Sequence, residues 1–156
     1  MRTWVLRADG HMQDLEMAKE RLFDEDLGIL IVKDGHVIYE SGSRGLSGLL
    51  EAIDTEGKML EGAAVADRVV GKAAALLCVF VKVEAVYAIT LSREAKAVLE
   101  RHAIRNEWTC LVDGILDVDR VGLCPFEKLV AGISSPKVAY EMLRILCENF
   151  RHQDQR

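Results

Sequence analysis

The stretch from Glu84 to Asp113 constrains the fold most. "EAVYAITLS" alternates as a strand, "REAKAVLERHAI" carries Ala95, Val98 and Leu99 at helical spacing, and "EWTCLVD" is again rich in strand formers. A strand, a helix and a strand joined by short connections make a parallel pair with a right-handed crossover. Any fold for this chain must contain that unit and cover it with further elements.

The flanking segments supply them. "LGILIVKDGHVIYES" holds two β-rich runs, Gly28 to Lys33 and His36 to Glu40, around Asp34-Gly35, a strong two-residue hairpin signal. Ahead of it "DLEMAKERLFDED", residues 14–26, sets Leu15, Ala18 and Leu22 on one helical face, with Asp14 as a fitting N-cap. After the hairpin, Ser43 can cap a helix through Leu46, Leu49, Leu50 and Ile53 that stops at Gly57. "AVADRVVGKAAALLCVF" reads as a buried helix from about Val65 to Phe80, and "PKVAYEMLRILCENF" as a closing helix with Val138, Met142, Leu143, Ile145 and Leu146 inward. The order α-ββ-α-α-β-α-β-α-α predicts an α/β fold, a three-layer α/β/α sandwich with a mixed sheet.

The 156 residues read as one domain, large enough to bury a core without metal or disulfides. Residues 1–13 form an N-terminal extension, of which the first 11 could be an extra edge strand or an expression remnant. The net charge of −5 and the lack of a basic run interleaved with aromatics argue against a polynucleotide partner. No segment has signal-peptide or membrane-spanning character, so the expected location is cytoplasmic, with no membrane partner. Cys78, Cys110, Cys124 and Cys147 form no C-x-x-C pair, and reduced thiols are expected. Cys110 is expected to face the core of its strand, and Cys78 and Cys147 to pack.

In α/β sheets ligands sit beyond the carboxyl ends of parallel strands, where helix N-termini present free N–H groups. Three predicted helix starts carry polar residues. Asp67 and Gly71, four apart, would share a helix face, with room beside the carboxylate for a ligand or a close backbone; Lys72 lies on another face. Ser92 precedes Arg93 and Glu94. In "LCPFE", Cys124 at the N-cap and Glu127 at N3 would meet over the same amides, either as nucleophile and general base or as a half-buried thiol and a capping carboxylate. Ser43 and Arg44, in "SGSRG", suit an anion at a helix start, or are an N-cap and a surface cation. No histidine can be matched to Cys124 from the sequence.

Taken together, "SRG" after a hairpin, "ADRVVGKAAALL", "LSREA" at a strand end and "CPFE" resemble an uncharacterised prokaryotic family with a cytidine-deaminase-like fold, over about residues 14–150. The resemblance implies the α/β/α domain, and it implies homo-oligomers, for which the apolar "AAALLCVFV" offers a face. Zinc-dependent deaminases carry H-x-E or C-x-E and P-C-x-x-C signatures. Both are absent, so neither a zinc cofactor nor another metal site is expected. Three expectations follow. The first is a protein that binds a small anionic or nucleotide-like molecule through Ser43, Arg44, Asp67, Gly71, Lys72 and Ser92. The second is an enzyme acting through Cys124, Glu127 and Asp67, and the third a homo-oligomeric interaction module.

Overall fold

A computed structural model describes residues 10–154. Five strands form one mixed sheet in the order β2-β1-β3-β4-β5, covered by helices on both faces. β1 (Ile29–Lys33) and β2 (His36–Ser41) are the predicted hairpin, and Asp34 and Gly35 take φ values of 51° and 79°, as a two-residue turn that follows strand twist requires. The first helix, α1 (Gly10–Asp24), begins earlier than expected, so Asp14 is not its N-cap. The buried Asp14 carboxylate instead accepts the turn amides of Asp34 and Gly35, at 2.9 and 2.8 Å, which ties helix to hairpin. The expected N-terminal extension thus gives way to helix from Gly10, and residues 1–9 lie outside the described residues.

The largest correction concerns residues 64–80. They form a strand, β3 (Ala64–Val70), then Gly71, then a helix, α3 (Lys72–Phe80). A continuous apolar run has no period to separate strand from helix, and here tertiary context decides. β3 lies between β1, antiparallel, and β4 (Ala85–Ser92), parallel, and both satisfy its backbone. The remaining elements are α2 (Ser47–Glu56), a 3₁₀ turn (Gly57–Leu60), α4 (Arg93–Arg101), β5 (Arg105–Val112), α5 (Pro125–Val130) and α6 (Pro136–Asp154). β5 runs parallel to β4, as the strand, helix, strand pattern predicts.

Strand alternation divides the core. Leu30, Val32, Ala64, Ala66 and Tyr87 meet Leu15, Ala18 and Leu22 of α1 on one face. Ile29, Ile31, Val65 and Val86 meet α2, α3, α4 and α6 on the other. On α6, Ala139, Leu143 and Cys147 turn inward at four-residue spacing, whereas Val138 and Ile145, expected in the core, are exposed. Cys110, also expected in the core, is exposed because β5 is an edge strand. Cys78 and Cys147 are buried, as packing residues should be.

Candidate functional site

The parallel strands β3 and β4 end beside each other and each feeds a nine-residue helix. At α4 the cap is local: buried Ser92 accepts the Ala95 N–H at 3.0 Å. At α3 the N-cap is Gly71, in extended conformation and without a side chain to offer. Glu127 of α5, 55 residues on, supplies the missing acceptor: Oε1 takes the Lys72 N–H and Oε2 the Ala73 N–H, each at 2.8 Å. A Cβ on Gly71 would lie 2.3 Å from Glu127 Oε1 and 2.8 Å from Ile115 Cγ1, so only glycine lets the carboxylate this close. The Lys72 Nζ donates to the Ala131 carbonyl, at the end of α5, at 3.1 Å. Burial pushes the Glu127 carboxyl up, and the two amides hold it back.

Asp67 stands on β3, paired in register with Ile29 and Ala88, and so cannot cap a helix or share a helical face with Gly71. Its side chain is on the sheet face that carries α3. The Val69 N–H donates to its Oδ1 at 3.3 Å, and no cation pairs with it among the described residues. Burial pushes this carboxyl up to about 7, against that single amide. Burial also raises the Cys78 thiol, with the charge of Asp67 as second cause.

The other expected site residues scatter. α2 starts at Ser47 behind Leu46, so Ser43 does not cap it. Arg44 donates to the Leu27 carbonyl and the Asp26 carboxylate, both at 3.3 Å, and Arg68 binds the same two acceptors at 2.6 Å each; the cation beside Ser43 is therefore neutralised. Cys124 is half-buried at the start of α5, and its N–H goes to Ile115, so Glu127 closes no turn over it. The structure unites Gly71, Lys72 and Glu127, sets Asp67 on β3 four residues before Gly71, and leaves Ser43 and Arg44 apart.

Sequence reasoning missed a cavity of about 560 Å³ on the α1 face, walled by Lys19, Phe23, Tyr87, Trp108 and Thr109 among others. Lys19 reaches Glu107 at 3.5 Å and lies 5.1 Å from the centre of the Tyr87 ring. No motif could have revealed it, because its walls come from a helix and two strands distant in sequence.

The starts of α3 and α4 read Gly71-Lys72-Ala73 and Ser92-Arg93-Glu94. Neither offers an imidazole or a thiolate, and no group of three His, Cys, Asp or Glu among the described residues could hold a metal ion. Among the described residues no helix is long and apolar enough to cross a membrane.

The chain is similar to the crystal structure of a DUF1893 family protein, TM1506, from Thermotoga maritima. The TM-score is 0.78 at 26% identity, over 92% of this chain and 93% of that one. Acinetobacter baumannii RibD superposes at a TM-score of 0.46 and 20% identity, over 64% of this chain and 34% of its own. The dCMP deaminase of cyanophage S-TIM5 superposes at 0.45 and 13%, over 66% and 99%. No curated protein matches the sequence. The family model TM1506, a domain of unknown function (DUF1893), matches residues 17–146, and the chain belongs to that family.

Proposed function

We propose that this protein binds a small nucleotide-like molecule at the carboxyl ends of β3 and β4, with Asp67 as the group that reads it. The observation that carries the reading is a buried carboxyl with, among the described residues, one 3.3 Å hydrogen bond and no cation. Such a group costs stability unless a ligand completes it, and perturbed, unpaired carboxyls concentrate at functional sites. Glu127 already holds the α3 amides, so the negative end of a ligand finds no free helix start there. What the site lacks is a donor. A nucleobase or an amine presents N–H groups to Asp67, while the ligand's anionic part stays toward solvent. Glu127 and Lys72 act as positioning residues that lock α5 against α3.

The test is native mass spectrometry of protein purified without chelators, followed by calorimetry against a panel of nucleosides and nucleotides. Retention of a mass of a few hundred daltons by the wild type, and binding at least about tenfold weaker in a folded Asp67→Asn variant, supports the reading. Equal binding by both proteins, or no binding across the panel, sinks it.

A further inference from the structure

The two edges of the sheet are not alike. β2 is interrupted by a register shift against β1 between Ile31 and Val32, and α2 packs beside it. Such devices keep an edge from pairing with another chain. β5 has no register shift, though α4 packs beside it. It runs in unbroken register with β4 from Arg105 to Val112, without proline or lysine, and Trp108, Thr109 and Cys110 are exposed. Among the described residues its other edge pairs with nothing.

Charge along this edge is polar. Exposed Arg101 and Arg105 stand at its start; Asp117, Asp119 and Arg120 stand in the hairpin beyond its end, which is acidic on balance. None of these five belongs to an ion pair among the described residues. The hairpin, closed by the Asp117 N–H to the Gly122 carbonyl at 2.9 Å, also presents Val118 and Val121 at 98% and 86% exposure, an apolar tip that solvent disfavours.

We infer that the β5 edge docks a second copy of this chain, antiparallel about a two-fold axis, making one sheet of both copies. Antiparallel alignment sets the acidic hairpin of each copy beside the basic strand start of the other; parallel alignment would set like charges together. The contact is isologous and therefore closes at two copies.

Sedimentation velocity of the whole chain up to about 100 μM reads the outcome. The wild type is expected as a dimer. The double variants Asp117→Lys with Asp119→Lys, and Arg101→Asp with Arg105→Asp, are each expected to weaken association at least about tenfold. Their equimolar mixture is expected to form a heterodimer, because each then presents the other with the opposite charge. Cys110→Lys, at an exposed position of the edge, is expected to be monomeric and checks the strand independently of the hairpin. A monomeric wild type overturns the inference. So do charge variants that dimerise like the wild type, or a mixture that fails to associate.

Discussion

The units β3–Gly71–α3 and β4–Ser92–α4 are neighbours, parallel and in register, and end in helices of equal length. They differ at two corresponding places. Where β4 has Ala88, fully buried and apolar, β3 has the carboxyl of Asp67; where α4 is capped by its own Ser92, α3 borrows Glu127 from α5. One unit is self-sufficient. The other carries a buried carboxyl with no cation beside it among the described residues, and depends on a distant segment for its cap.

The comparison can be broken first at Asp67. Its carboxyl shifts from 3.8 unfolded to about 7 folded, so the folded state holds its proton where the unfolded state has lost it. Stability from this group is full below about pH 4, falls between 4 and 7, and levels off above, by roughly 4 kcal/mol in all. Urea titrations across that range should show the fall in the wild type and a flat profile for this contribution in Asp67→Asn. An unchanged slope would mean that the carboxyl is not the buried acid.

Gly71→Ala comes next. The new Cβ must push Glu127 off the α3 amides, at a cost of roughly 3 kcal/mol, because a buried and a half-buried donor lose a charged acceptor together. Thermal unfolding of this variant beside a Ser92→Gly variant, expected to lose only about 0.5 kcal/mol, contrasts the two N-cap positions directly. Glu127→Gln, which offers the second amide an NH₂ in place of an oxygen, should cost roughly 2 kcal/mol. Ser92→Ala should cost about 1 kcal/mol, within the usual range for an N-cap. If the Glu127 and Gly71 losses add in a double-mutant cycle, the carboxylate and the glycine act independently, and the close contact between them does not hold the α3 start.

What could be read without coordinates was local. Asp34-Gly35 specified its hairpin because both central residues must take positive φ. The start of α4 was legible from the helical spacing of Ala95, Val98 and Leu99, whereas Ser92, read as a ligand residue, spends its hydroxyl on the Ala95 N–H. The amphipathic faces of α1 and α4 were legible because each buries one stripe, while the edge position that exposes Cys110 was not. Asp67, Gly71, Lys72 and Glu127 could be picked out as residues that plain packing does not need, but the placement of Asp67 and Gly71 on one helix was misread, since the apolar run around them fits strand and helix alike.

The sequence by itself determined the hairpin, the parallel β4–α4–β5 unit and the absence of both deaminase zinc signatures, since each rests on residues a few positions apart. Only the tertiary structure decided that residues 64–70 are a strand, because β1 and β4 supply hydrogen bonds that no local propensity encodes. It alone decided that Glu127 serves α3 rather than its own helix: the preference of a carboxylate for buried, unpaired amides acts through space, and the chain brings them together across 55 positions.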